Sequence, residues 1–163
     1  MENPKNQFSI FPARGSYLLR KGRRSLPGNY YFLRASTAKQ RPLFLDGRYC
    51  RLVFDAIKWL GDHHRWYCLC AMIMPDHLHL VSRLSRGWSL DQVMKVLKGY
   101  TARQINQMER SIGPVWQDGY YDHCIRDERA LREIILYCYY NPVRKGLVKR
   151  PEDYPYWWCR YRI

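Results

Sequence analysis

The sequence has few acidic residues and no long apolar segment. Its 163 residues include 14 aspartates and glutamates against 28 lysines and arginines, a formal net charge of +14. No run of eighteen apolar residues and no basic amphipathic helix is found, which argues against a membrane protein. The N-terminal residues lack the apolar core of a signal peptide, so we expect a cytoplasmic protein. A basic excess of this size favours a polyanionic partner, most obviously nucleic acid.

Familiar zinc-finger spacing is also absent, although six cysteines are present. Most of them lie inside apolar patterns, as small buried hydrophobic residues do, and we interpret all six as reduced thiols. Cys68 and Cys70, followed by His77 and His79, have the ligand types of a zinc site without a finger's spacing. A zinc site therefore stays open as an alternative.

The length and a hydrophobic content of 47% indicate one globular domain. Residues 1–28 contain no acidic residue after Glu2 and form a basic arm, either a solvated tail or a segment that contacts DNA. Its basic residues are Arg14, Arg20, Lys21, Arg23 and Arg24. The domain then spans residues 29–163.

Apolar periodicity and capping residues predict seven elements in this domain. They are strands at 30–33, 65–74, 77–84 and about 120–126, and helices at 46–61, 89–113 and 127–142. The first six follow the order βαββαβ, which is the α+β pattern of a ferredoxin-like antiparallel sheet. Because proline cannot adopt the positive φ of a type I′ turn, Pro75 predicts a bulged or wider hairpin between the second and third strands.

Two histidines stand one residue apart in the apolar run AMIMPDHLHLVS, residues 71–82. Side chains alternate along a strand, so His77 and His79 should point to one face, with Leu78 and Leu80 on the other. Such a pair is either a pair of metal ligands or an accident.

Tyrosines fill the predicted last helix, and their helical positions differ. At about 100° per residue, Tyr137 and Asn141 lie on one face, whereas Tyr139 and Tyr140 lie away from that line. Tyr137 is the preferred candidate nucleophile, although a core or rim tyrosine is the simpler interpretation of the spacing alone. Two imidazoles and an amide oxygen would suit Mg²⁺ or Mn²⁺ with positions left for water and a phosphate oxygen.

Several motifs together resemble the REP-associated tyrosine transposases, a bacterial branch of the single-tyrosine HUH nucleases. The resemblance covers most of the chain and is carried by RKGRRSLPGNYYFLRAS, RPLF, MPDHLHLV, VWQDGYYDHCIRDE and YCYYNPVRKGLV. It implies the HUH nuclease fold, with helices on one face of the sheet and a C-terminal catalytic helix. Asp76 stands where many relatives carry asparagine, which adds negative charge beside the expected phosphate site.

The resemblance implies that His77 and His79 are metal ligands, Asn141 the third ligand and Tyr137 the nucleophile. It also implies cleavage of single-stranded DNA at repetitive extragenic palindromes, with a 5′-phosphotyrosine and a free 3′-OH as products. We expect hairpin and single-stranded DNA as partners, nucleoid association, and a monomer acting in cis, although some relatives are dimers.

DNA contacts are expected from basic residues outside the histidine pair as well as from the arm. They are Lys95 and Lys98 on the solvent side of the long helix, and Arg144, Lys145, Lys149 and Arg150 after the catalytic helix. The alternative to an enzyme is a binding module in which the same fold grips palindromic DNA without cutting it.

Overall fold

The computed structural model describes residues 25–163. Within this range, the five strands are β1 Tyr30–Ser36, β2 Trp66–Met74, β3 His77–Leu84, β4 Tyr121–Ile125 and β5 Trp157–Cys159. The four α-helices of the same residues are α1 Gly47–Asp62, α2 Leu90–Glu109, α3 Glu128–Tyr139 and α4 Asn141–Arg144. No helix among the described residues is long and apolar enough to cross a membrane.

All five strands form one antiparallel sheet in the order β4-β1-β3-β2-β5. The first four strands have the ferredoxin-like order, and the predicted α+β fold is therefore confirmed. The sequence did not predict β5, a strand of three residues that pairs with the outer edge of β2.

Helices cover both faces of the sheet. Helices α1 and α2 pack on one face, over inward side chains such as Leu33, Ile73 and Leu80. Helix α3 packs on the opposite face through Ile134, Ile135 and Cys138. We refer to this second face as the α3 face.

Local capping explains where the helices begin. Asp46 accepts a hydrogen bond from the Arg48 amide at the start of α1, and Asp127 does the same for Ala130 in α3. A capping box begins α2, with Ser89 and Gln92 each bonding the other's backbone amide.

The β2–β3 hairpin differs from the prediction. Met74 pairs directly with His77, so the turn has only two residues, Pro75 and Asp76, and neither has a positive φ. Hydrogen bonds from outside the hairpin hold it, because the Pro75 carbonyl accepts from the Phe44 amide at 3.0 Å. The irregularity in β2 lies at the far end instead, between residues 68 and 70.

Candidate active site

The two histidines of β3 lie on the α3 face of the sheet. Strand alternation sends Leu78 and Leu80 into the opposite core. His77 and His79 are 5% and 2% exposed, and their Nε2 atoms are 3.0 Å apart, with the rings perpendicular. Two buried imidazole nitrogens therefore lie side by side at the start of β3.

Asn141 supplies a third group at this point. It follows α3 directly, at the start of the four-residue α4, and is 3% exposed. Its amide nitrogen lies 3.0 Å from Nε2 of His79. Rotation of the amide about its last bond exchanges its nitrogen and oxygen, so the amide can present its carbonyl oxygen here.

The three groups fit a divalent cation. Two ligands at right angles around an octahedral cation, each about 2.1 Å from it, lie about 3.0 Å apart. Nε2 of His79 has that spacing from Nε2 of His77 and from the amide nitrogen of Asn141. Burial lowers the pKa of His77 and lowers that of His79 further, so both rings are neutral at pH 7 and can act as ligands.

The zinc alternative is wrong. The irregularity in β2 places Cys68 in the core beneath α1 and α2 and Cys70 in the core on the α3 face. Burial also raises the pKa of both thiols, which favours the uncharged form that binds metal poorly. In the part of the chain that the structure describes, no group of three or more His, Cys, Asp or Glu side chains could hold a metal.

Tyr137 lies beside the histidines, near the end of α3. Its ring centroid is 5.9 Å from that of His79 and 6.3 Å from that of Phe32, both edge-on. The guanidinium carbon of Arg144 lies 4.0 Å from the same centroid, and Arg144 donates to the Tyr137 carbonyl at 2.8 Å. The phenol is therefore held between the sheet and a cation.

Helical arithmetic anticipated this meeting only in part. Helix α3 ends at Tyr139, and Asn141 begins a separate short helix. Tyr137 and Asn141 nevertheless both reach the surroundings of His79. Tyr139 instead packs against Trp157 and Tyr140.

Two neighbours of the site, Phe32 and Arg34, were not recognised in the sequence, and the contact of a third, Asp76, with a histidine was not foreseen. Phe32 of β1 stacks on His79 at 5.3 Å between centroids. Arg34, two residues further along β1, lies opposite His79 in the register, is exposed, and lowers the pKa of both histidines. Asp76 approaches His77 from the turn, with Oδ1 2.6 Å from Nδ1. Strand alternation places Phe32 and Arg34 on one face, but no motif singles them out.

The basic residues expected to bind DNA have different surroundings. Lys95, Lys145 and Lys149 are exposed. Lys98 differs from the prediction of a solvent-side lysine, since it is half-buried and donates to the carbonyls of Gln117 and Gly119. Arg150 is exposed but forms ion pairs with neighbouring acids. The arm residues Arg14, Arg20, Lys21, Arg23 and Arg24 lie outside the described residues.

Residues 30–138 match the family described as "Transposase IS200 like". This range includes both histidines and Tyr137 and ends three residues before Asn141. The chain also resembles the REP-associated tyrosine transposase of Escherichia coli K12, with 24% identity over 137 residues, 80% of this chain and 76% of the relative. A Haemophilus influenzae protein assigned to the same group is 27% identical over 139 residues, 79% of this chain and 78% of the relative.

The fold is shared with solved structures. Among them is a REP-associated tyrosine transposase bound to a REP hairpin, at 22% identity and a TM-score of 0.72. The match covers 83% of this chain and 79% of that one. At this identity the match establishes the architecture, and the side chains of the site must be argued from their own contacts.

Proposed function

This chain belongs to the IS200-like transposase family, and from that premise we propose that it is a metal-dependent single-stranded DNA endonuclease and strand transferase. Its substrates would be REP-type palindromic hairpins, and its intermediate a covalent 5′-phosphotyrosine. The observation that carries the proposal is that Nε2 of His77 and the amide of Asn141 each lie 3.0 Å from Nε2 of His79, beside the ring of Tyr137.

Mg²⁺ or Mn²⁺ is the cation that this donor set suits, held by Nε2 of each histidine and by the carbonyl oxygen of Asn141. When bound, such a cation offsets the negative charge of a phosphodiester and orients its phosphorus for attack. The protein's part is to keep the imidazoles neutral by burial and to hold them at the spacing of adjacent ligands.

Tyr137 would be the nucleophile. Its phenol oxygen forms a bond to phosphorus while the bond from phosphorus to O3′ breaks. The phenol proton is lost, and one proton is gained by the departing 3′-oxygen. In the reverse reaction, a 3′-hydroxyl attacks the phosphotyrosine and releases the phenol. This step either rejoins the original DNA or transfers the strand to another DNA end.

Arg144 would hold the attacking ring in place. Its guanidinium covers one face of Tyr137 and is tied to the same residue's carbonyl. Because the phenol and the histidines come together within a single chain, we propose a monomer that acts in cis.

DNA would approach across the exposed cations around the site. Arg34 and Lys145 both lower the pKa of His77 by their charge, so they lie close enough to attract a phosphate at the same point. Lys95, Lys149 and the arm outside the described residues would extend this contact along a hairpin.

Covalent capture tests the proposal. The purified chain is incubated with Mn²⁺ or Mg²⁺ and a pool of labelled single-stranded hairpins that have a palindromic stem and randomised flanking nucleotides. We expect a protein–DNA adduct on a denaturing gel, formed only with metal. Y137F should form none, whereas the matched control Y139F should form as much as the wild type.

Two results would contradict the proposal. An adduct that persists in Y137F would mean that another residue is the nucleophile. Tight hairpin binding without an adduct under either metal would instead favour the binding module.

A further inference from the structure

The side chain of Asp76 reaches the nitrogen of His77 that the metal site does not use. Oδ1 of Asp76 lies 2.6 Å from Nδ1 of His77, while Nε2 of the same ring faces His79. The Asp76 side chain is 35% exposed, but the imidazole is 7% exposed. The contact therefore joins a partly solvated carboxylate to a buried ring.

This contact selects one tautomer of the ring. A carboxylate can only accept hydrogen bonds, so Nδ1 of His77 must carry the hydrogen. A neutral imidazole with its hydrogen on Nδ1 leaves a lone pair on Nε2. That lone pair points to the place where His79 and Asn141 converge.

The second histidine has no comparable partner. Nδ1 of His79 is buried without a hydrogen-bond partner among the described residues, and the ring is packed against Phe32. Among the described residues, a side chain thus sets the tautomer through Nδ1 at His77 but not at His79. Whether the two histidines are ready to bind a cation therefore depends on Asp76, which holds His77.

The turn that carries the carboxylate is itself anchored. The backbone carbonyl of Asp76 accepts from the amide of Thr37 at 2.9 Å and from its hydroxyl at 3.0 Å. Thr37 is fully buried. The carboxylate is therefore delivered by a two-residue turn that is fixed from outside the hairpin, rather than by a mobile loop.

The charge of Asp76 acts in the same direction. Arg34 and Lys145 lie near enough to His77 to disfavour positive charge on it, and Asp76 opposes them. A divalent cation at the histidines would meet the same repulsion, which the carboxylate offsets.

We propose that Asp76 is a positioning residue that holds His77 in the Nδ1–H tautomer, presents Nε2 to the divalent cation and supplies negative charge behind it. The inference rests on the proposed function for its metal. Loss of a carboxylate behind a ligand histidine weakens metal affinity by about 10- to 100-fold.

Two measurements on the full chain test this inference. Long-range ¹H–¹⁵N spectra of the metal-free protein report the tautomer of His77, and titration calorimetry with Mn²⁺ reports affinity. We expect the Nδ1–H tautomer in the wild type. In D76A that preference should be lost, with affinity about 10- to 100-fold weaker.

Two further variants separate position from charge. D76N keeps a carbonyl acceptor without the charge, so it should retain the tautomer and bind Mn²⁺ more weakly than the wild type. D62A removes one exposed carboxylate that pairs with Lys58 at the end of α1, and it should match the wild type in both measurements. If D76A does not fold, the tautomer and affinity of D76N decide the question.

The possible failures are distinct. Wild-type tautomer and affinity within twofold in D76A would overturn the inference, as would a wild-type His77 with its hydrogen on Nε2. Absence of Mn²⁺ binding by the wild type would overturn the proposed function and the metal role of Asp76 with it. Equal losses of Mn²⁺ affinity in D62A and D76A would mean that net charge alone weakens binding, and this would overturn the positioning role of Asp76.

Discussion

Replacement of Phe32 should destabilise the fold and also disturb His79 and Tyr137 in the site. Phe32 is 2% exposed and lies in the core on the α3 face. Its ring contacts His79, Tyr137 and Tyr121, with centroids 5.3, 6.3 and 6.2 Å away. One side chain thus contacts a proposed ligand histidine and the proposed nucleophile together.

The loss in the free energy of unfolding follows from this packing. Truncation of a buried phenylalanine to alanine removes transfer energy and leaves a cavity, at about 3–5 kcal/mol. F32L nearly conserves volume, which limits the packing cost to about 1.5 kcal/mol, but loses ring pairs worth about 0.5–1.5 kcal/mol each. We expect F32A to lose about 3–5 kcal/mol of the free energy of unfolding, and F32L to lose less than F32A because leucine keeps most of the packed volume.

Urea unfolding in EDTA, followed by circular dichroism and tryptophan fluorescence, measures these losses. Phe44 offers a matched control, because it is 1% exposed and packs against Trp116 in the opposite core. F44A and F44L should destabilise the protein comparably. At a temperature where all variants are folded, F32L should slow adduct formation and F44L should not.

Either of two results would contradict this role of Phe32. A loss below about 1 kcal/mol in F32A would mean that the ring is not a packing element. Equal slowing of adduct formation by F32L and F44L would mean that Phe32 affects the site only through general stability.

Three other outcomes follow from the burial and charge of particular side chains. Burial lowers the pKa of His77 and His79, so the unfolded chain binds protons that the folded chain does not. In EDTA, the free energy of unfolding should therefore fall as pH drops from 7.5 to 5.5, and a profile equally steep in H79L would contradict this. K98A should cost about 1 kcal/mol, because two carbonyls lose a charged donor. K95A should leave the free energy of unfolding in urea unchanged, but it should reduce the slope of log binding constant for DNA against log salt concentration by about one. The opposite pattern, with K95A destabilising the fold and K98A reducing the slope, would contradict this difference between the two lysines. Iodoacetamide should modify only the two half-exposed thiols of six, counted by mass spectrometry, because four are buried in the fold.

Elements with strong local signals were predictable from the sequence. Asp46 and Ser89 begin helices because their side chains satisfy backbone amides within the next turn, which is visible from neighbouring residues alone. The apolar run of β2 needed only its length and composition, since both of its faces are covered.

Elements that depend on distant partners were not predictable. Strand β5 has three residues and exists because the edge of β2 pairs with it. The tight turn at Pro75 and Asp76 likewise depends on Phe44 and Thr37, whose amides bond its carbonyls. In both cases, tertiary hydrogen bonds outweigh local preference.

The candidate site shows the same division. Period-two alternation was enough to put His77 and His79 on one face. Their meeting with Tyr137 and Asn141 depends on how α3 packs across the sheet. The contact of Asp76 with Nδ1 of His77 depends on the anchored turn, which no spacing rule describes.

The positive charge of the chain has two consequences at this point in the fold. Burial lowers the pKa of His79, and the charges of Arg34, Arg144 and Lys145 each lower it further. The cations that would attract a phosphate therefore also keep the imidazoles neutral, the state in which a histidine can bind metal. The same cations would repel a divalent ion, so a basic surface alone could not make this site. Burial of the two rings on β3 and a carboxylate in the turn before them would resolve that conflict, because they would supply neutral ligands and local negative charge within a surface that would still attract DNA.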